Sequence, residues 1–387
     1  MMACQQLNRS FDRQRRSRGR WRACEDHLLQ VFLLINGGAV LIRARVSSLA
    51  HGRPDDPPCA RAMDPAPAPA ASKMRFDSPA FRVHEDGRVE RFFGTDTTHP
   101  GFDAATGVTS KDVVLDGATG VFARVYLPAL PDGPGRGTRL PILVYFHGGG
   151  LVLGSAASQM YHGYLNAVAS RAGVLAVSVD YRLAPEHPIP AAYEDSWTAL
   201  RWAASRANPW LSAHGDAGRI FLAGDSGGAN IVHNMAIMAG TRSTDQDGLP
   251  AGALVEGAIL LHPMFGGKEP VDGEAADTRY HMEKLWALIC PDGEGLGVDD
   301  PRLNPMAPGA PSLRALAGRR LLVCSAERDF ARARAAAYYQ AVKGSAWPGM
   351  AEWVESPGEE HGFFLLQPER DESSALLDRV AAFLSGE

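Results

Sequence analysis

The amino-acid sequence predicts an α/β protein built on a mostly parallel central sheet with helices on both faces, and three observations predict it. From about residue 111 onward, apolar β-type runs alternate with helical stretches, the pattern of successive βαβ units. Several of those runs are continuously apolar rather than alternating, as parallel strands buried on both faces are. A Gly224-Asp225-Ser226-Gly227-Gly228 turn joins one such run directly to a helical stretch.

Taken in chain order, the strands are expected at Val113–Leu115, Val121–Leu127, Ile142–Phe146, Val174–Val179, Ile220–Ala223, Ala258–Leu261, Arg320–Ser325 and Ala351–Val354. The first two lie close together with no helical stretch between them and read as an antiparallel hairpin at the sheet's edge. Helices are expected at Tyr161–Arg171, Ala191–Ala204, Ala229–Ala239, Ala331–Lys343 and Ser373–Leu384. Residues 75–387 are expected to form one domain. Two segments depart from the alternation: residues 75–105, ahead of the sheet, and residues 264–311, rich in Gly, Pro and Asp. Such excursions cover the carboxyl ends of strands in α/β enzymes, so both are expected to build a cap.

Residues 1–74 form a leader of different character. Residues 1–62 carry eleven Arg, no Lys and five acids, a net of +6, which leaves −11 on residues 63–387 against the chain total of −5. The apolar stretch Leu28–Ile42 is interrupted by Asn36-Gly37-Gly38 and falls short of the roughly 20 residues that span a bilayer. Glu25 and Asp26 before it and Arg43 and Arg45 after it suit a secretory signal poorly. Residues 63–71 then form a Pro/Ala linker. The leader is expected to be disordered or to lie upstream of a second start at Met63; an Arg-rich organelle-targeting peptide is the alternative.

The acidic body excludes an obvious nucleic-acid binder, and no membrane span is expected. The five cysteines, Cys4, Cys24, Cys59, Cys290 and Cys324, have no CxxC spacing. They suggest neither a disulfide framework nor zinc, and a reducing compartment is the simpler reading.

The chemistry is carried by three stretches. Gly224–Gly228 has the strand, tight turn and helix context of a G-x-S-x-G nucleophile elbow, with Ser226 as nucleophile. The same five letters surround the nucleophile of chymotrypsin-like proteases, but those are all-β, and here a helix and further βα units follow. His147-Gly148-Gly149-Gly150 ends the run Ile142–Phe146. Acyl transfer places negative charge on the former carbonyl oxygen, and an HGGG loop offers backbone N–H groups to it. The donors would be two of Gly148, Gly149 and Gly150, together with Gly227. The loop lacks the ending of a phosphate-binding loop. The triad order expected here is Ser, acid, His, and of twelve histidines only His361 lies beyond Glu327 and Asp329. Asp329 is the chosen acid because it falls just past a strand end. Glu327 and Glu360 remain alternatives, and Asp292, Asp299 and Asp300 would need an unusual layout.

Together these residues resemble the plant carboxylesterases of the hormone-sensitive-lipase-like group, a family of the α/β-hydrolase fold that also includes the gibberellin receptors. The resemblance runs from about Phe76 to the C-terminus. It is carried by Gly87–Asp96, Gly107–Val114, the HGGG loop, Asp180-Tyr-Arg-Leu-Ala-Pro-Glu-His-Pro, Pro190–Asp195, the elbow, Asp300–Pro305 and Ala326–Asp329. It implies cofactor-free hydrolysis of small carboxylic esters, with the family's catalytic residues falling on Ser226, Asp329 and His361. It also implies a cytoplasmic, in some members nuclear, protein, an expectation the basic leader puts in doubt. Many relatives have Ala or Ser where Gly227 stands, a change to which a backbone donor is indifferent. Two other functions stay open. One is a non-hydrolytic small-molecule receptor, although the gibberellin receptors have lost the histidine that this chain keeps as His361. The other is a lyase, because some relatives dehydrate hydroxyisoflavanones or convert acylated glucosides in the same pocket.

Overall fold

The computed structural model describes residues 73–130, 139–242, 247–291 and 295–386, and the backbone of two short strands in the leader, β1 (Gln30–Leu33) and β2 (Val40–Arg43). These two pair antiparallel, with Gln30 opposite Arg43, and occupy the apolar stretch to which the sequence reading gave no element. The rest of the leader, including the Arg-rich run and the Pro/Ala linker, lies outside the described residues.

The body begins with an antiparallel three-stranded sheet, β3 (Met74–Asp77), β4 (Phe81–His84) and β5 (Val89–Arg91). The main sheet has nine strands: β6 (Phe102–Asp103), β7 (Val108–Val114), β8 (Phe122–Leu127), β9 (Leu140–Phe146), β10 (Leu175–Asp180), β11 (Gly215–Asp225), β12 (Val255–Leu261), β13 (Arg320–Ala326) and β14 (Met350–Ser356). Their spatial order is β14-β13-β12-β11-β9-β10-β8-β7-β6. The six strands from β14 to β10 are mutually parallel, and β8, β7 and β6 continue the sheet antiparallel. The expected hairpin at the early edge is therefore present, with β6 added outside it.

The helices are α1 (Gln159–Ala172), α2 (Ala191–Ser205), α3 (Pro209–His214), α4 (Gly227–Thr241), α5 (Ala276–Ile289), α6 (Arg332–Gly344), α7 (Phe363–Leu366) and α8 (Asp371–Ser385). Strand β9 shows why a continuous apolar run was needed. Ile142, Val144 and Phe146 face one core with Leu200 of α2, Ile231 of α4 and Tyr338 of α6. Leu143 and Tyr145 face a second core with Leu165 of α1 and Phe383 of α8. Both faces are dry, so every position in the strand must be apolar, each fully buried side chain contributing roughly 1.5–3 kcal/mol.

All eight expected strands and five expected helices are present, with altered ends. Strand β7 starts at Val108, its first two residues pairing with the short β6; beyond them it borders the sheet, where Lys111 and Asp112 are tolerated with contact to solvent. Strand β11 starts at Gly215, and its pairing to β9 shifts register between Asp216 and Ile220, where the residues are polar and half-buried. Helix α5 was not expected. Its stripe Thr278, Met282, Trp286 and Ile289 is buried at helical spacing, inside the segment read as irregular.

Candidate active site

The elbow is built by steric compression. Ser226 sits between β11 and α4 at φ 51°, ψ −116°, a backbone conformation that an L-residue adopts only when its surroundings impose it. Its N–H donates to Leu261 O at 2.9 Å, and its carbonyl accepts from Met264 and Asn230. A Cβ on Gly228 would lie 1.9 Å from Phe146 O, so the elbow is pressed against the end of β9, where the HGGG loop begins.

That loop is anchored by the residue before the nucleophile. The Asp225 carboxylate accepts from Tyr145 Oη (2.8 Å), Tyr161 Oη (3.1 Å) and Gly148 N–H (2.9 Å). This corrects the expectation for Gly148, whose N–H is already donated to Asp225 and to Tyr161 Oη and is unavailable to an oxyanion. Gly149 (φ 102°) and Gly150 (φ 62°) take conformations open to glycine. Among the described residues, the N–H groups of Gly149, Gly150 and Gly227 have no acceptor. Gly227 packs against the loop so closely that a Cβ there would lie 3.0 Å from Leu151 N. The Ala or Ser of relatives would thus require a shift of a few tenths of an ångström, which backbone chemistry alone does not reveal. The His147 ring stacks on Tyr181 at 4.3 Å, and burial lowers its pKa.

The other side of the site is made of side chains. Asp329 lies in the turn between β13 and α6, where Oδ1 accepts from Ala331 N–H at 2.8 Å. His361 lies in the turn between β14 and α7, and its Nδ1 meets Asp329 Oδ1 at 2.8 Å. The His361 side chain keeps 20% of its surface accessible while Asp329 has none. Leu261, which receives the Ser226 N–H, is followed by His262, whose ring stands edge-on to that of His361 at 5.4 Å between centroids. The elbow and the His361 ring therefore both adjoin the carboxyl end of β12.

The alternative acids are occupied elsewhere. Glu327 accepts from Gly358 N–H. Asp299 accepts from Lys268 N–H and the Asn304 amide, and Asp300 pairs with Arg302. Glu360 makes no hydrogen bond to His361 among the described residues, and Asp292 lies outside them.

Electrostatics separate the groups. Burial would raise the Asp329 pKa, but the charge of His361 and the hydrogen bonds of His262 and His361 hold it well below the usual carboxylate range. Burial would lower His361, yet the Asp329 charge and hydrogen bond, with Asp225 adding, leave it above 6.5. Burial raises Asp225 to about 6 against the pull of its three donors and of His361.

His262 is the residue that sequence reasoning missed. Its Nδ1 lies 2.9 Å from Asp329 Oδ2, but the Ser, acid, His order directs attention only to histidines beyond the acid. The available signal was its place at the end of an apolar run. His262, Asp329 and His361 are also the one cluster among the described residues with the composition of a metal site. Their facing atoms are 2.8–2.9 Å apart, whereas ligands of a tetrahedral zinc stand about 3.3 Å apart. The spacing fits shared protons.

A family model described as alpha/beta hydrolase fold matches residues 143–365. The chain is 44% identical over 318 residues to a 2-hydroxyisoflavanone dehydratase of Glycyrrhiza echinata, covering 79% of this chain and 94% of that one. It is 43% identical over 334 residues to a chloroplastic tuliposide A-converting enzyme of Tulipa gesneriana, covering 84% and 82%. Among solved structures, a thermostable carboxylesterase from a metagenomic library superposes with TM-score 0.58 at 28% identity, covering 72% of this chain and 88% of its own. An esterase of the archaeon Pyrobaculum calidifontis superposes at 0.57 with 30% identity, covering 72% and 83%. The chain belongs to the α/β-hydrolase family, in the hormone-sensitive-lipase-like branch that contains these plant enzymes.

Proposed function

We propose that this enzyme hydrolyses small carboxylic esters through an acyl-enzyme intermediate. Ser226 Oγ attacks the ester carbonyl while His361 takes its proton. Asp329 fixes the imidazole tautomer and stabilises the imidazolium. The developing oxyanion is received by the N–H groups of Gly227 and of Gly149 and Gly150. His361 then returns the proton to the leaving alcohol, and a water deprotonated by the same imidazole releases the acid. The substrate is a small molecule and no cofactor takes part. Residues 75–105, with β3, β4 and β5, and the segment holding α5 form the cap; Arg91 of β5 bonds Val152 O and Ala184 O beside the oxyanion loop. The observation that carries the reading is the 2.8 Å contact between His361 Nδ1 and Asp329 Oδ1, which a base needs and a receptor does not. Turnover of short-chain 4-nitrophenyl esters tests it. The wild-type protein is expected to hydrolyse them, and Ser226→Ala to lower kcat by about 10⁴-fold or more. An inactive wild type, or an unimpaired variant, overturns it.

A second reading is favoured by the 44% identity to a dehydratase. His361 would remove a proton next to a carbonyl, the same N–H groups receiving the enolate charge, and the enolate would then expel the β-hydroxyl, which leaves as water with the proton returned by His361. That step needs no nucleophile, so dehydration of a β-hydroxy carbonyl compound that survives Ser226→Ala supports it. The leader poses a separate question, since relatives bear the names chloroplastic and amyloplastic. Residues 1–74 fused to a fluorescent protein are expected to leave it in the cytoplasm; plastid fluorescence makes them a targeting peptide.

A further inference from the structure

Asp329 is a buried carboxylate with two oxygens to satisfy. Oδ1 receives His361 Nδ1–H and Ala331 N–H, each at 2.8 Å. The group nearest Oδ2 is His262 Nδ1 at 2.9 Å, a contact bent too far to be an aligned hydrogen bond, so that Oδ2 has no aligned donor among the described residues. His262 is itself completely enclosed, with its ring against His361, Phe363 and Phe364. Its Nδ1 has two candidate relations. It could accept from Gly362 N–H, 3.4 Å away, but its lone pair would then face a carboxylate oxygen at 2.9 Å, a repulsion that nothing compensates. With the proton on Nδ1 the short contact becomes attractive and the buried Nε2 is left as an acceptor lacking a donor, which costs less than the other tautomer, with a stranded Nε2–H and an Nδ1 lone pair close to the carboxylate. The residue stands at φ 51°, a region in which His and Asn are enriched among non-glycine residues.

We infer that His262 is a positioning residue for the catalytic acid, its Nδ1–H directed at Asp329 Oδ2 in a bent, charge-assisted contact that holds the carboxylate plane so that Oδ1 stays on the imidazole of His361. The inference rests on the triad reading above. The base thus lies in a chain of two imidazoles about one carboxylate, only one of which reaches the substrate side. Removing the donor from Oδ2 frees the carboxylate to rotate and makes it more basic. The titratable groups facing His361 are Asp329, His262 and Asp225, so a more basic Asp329 makes His361 hold its proton more tightly.

The test compares His262→Leu with His262→Asn, whose amide nitrogen can replace the donor at the same φ. His262→Leu is expected to lower kcat on a 4-nitrophenyl ester about 10- to 100-fold, the rate equivalent of one hydrogen bond to a charged group. KM should stay within about twofold, and the acid limb of the kcat/KM profile should move to higher pH. His262→Asn is expected to keep kcat within about threefold, a rescue of roughly one hydrogen bond. A leucine variant with unchanged kcat and pH limb overturns the inference, as does an equal loss in both variants without a shift of the limb. Nitrogen-15 NMR of the histidine-labelled wild type gives a reading that needs no variant to fold: a neutral His262 with its proton on Nδ1 is expected, and a proton on Nε2 overturns the assignment. A wild type that does not hydrolyse esters yet shows the Nδ1 proton removes the esterase reading and leaves the contact standing.

Discussion

Asp225 and Asp329 are the same residue type, buried to the same extent at 5% and 6% exposure, and the fold drives them in opposite directions. Asp225 meets two tyrosine hydroxyls and one backbone N–H, all neutral, and burial wins: its pKa rises to about 6. Asp329 meets two imidazoles, and they outweigh the burial, holding its pKa far below the usual range. Burial alone therefore does not set the charge of a carboxylate; the charge available to its partners does. The first aspartate anchors the Gly148 N–H; the second is, in the proposed triad, the counter-charge of the base.

The strongest way to break the contrast is to neutralise the second site. Asp329→Asn should lower kcat on the order of 10⁴-fold by removing the imidazolium's partner and allowing the wrong tautomer. In the wild type, the raised pKa of His361 places the acid limb of kcat/KM above the ordinary histidine value of 6.5, because the protonated imidazole cannot act as base. A pH–rate profile with its limb well below 6.5 breaks this part of the account.

A smaller loss is expected from the backbone side. Gly228→Ala drives a methyl group into Phe146 O and displaces the HGGG loop, which should lower kcat by about 10²–10³-fold, as loss of an oxyanion donor does. A kcat within threefold of wild type would show that the loop is not held by this contact.

The smallest effect sharpens the contrast. Asp225→Asn keeps the shape but replaces one accepting oxygen with an N–H₂ group, and should lower kcat about tenfold by loosening Gly148. Its stability signature is distinctive. Because the folded pKa of Asp225 is raised from 3.8 to about 6, its contribution is present below pH 4 and is lost as pH rises through 6. Over that window the wild type should lose about 3 kcal/mol relative to the variant. Asp329, with its lowered pKa, acts in the opposite sense, its stabilisation being lost as pH falls below 4. Urea titrations of both proteins between pH 4 and 7 measure the difference; parallel curves would refute the assignment for Asp225.

Much of this was legible in the sequence where one rule governs. The parallel half of the sheet is buried on both faces, so β9, β10, β12 and β13 stood out as largely apolar runs, with Ser178 the polar residue inside that of β10. The elbow and HGGG loop were readable because close backbone approach leaves glycine as the residue that fits, as the Gly228 contact with Phe146 illustrates. Legibility failed where a role depends on a distant neighbour. Nothing local distinguishes Gly148 from Gly149 as an oxyanion donor; the difference is Asp225 Oδ1, 77 residues away. His262 likewise acquires its role only when β12 and β13 pair in parallel and bring its ring beside Asp329. Helix α5 was hidden because its buried stripe mixes Thr278 with Met282 and Trp286 amid Gly- and Pro-rich flanks.

The most direct test of the whole arrangement is covalent. A fluorophosphonate reacts only with a serine that a neighbouring base activates and an oxyanion wall receives. Intact-mass and peptide analysis of the treated protein should find one adduct, on Ser226, and none in Ser226→Ala. An unlabelled wild type, or an adduct on another residue, would contradict the account.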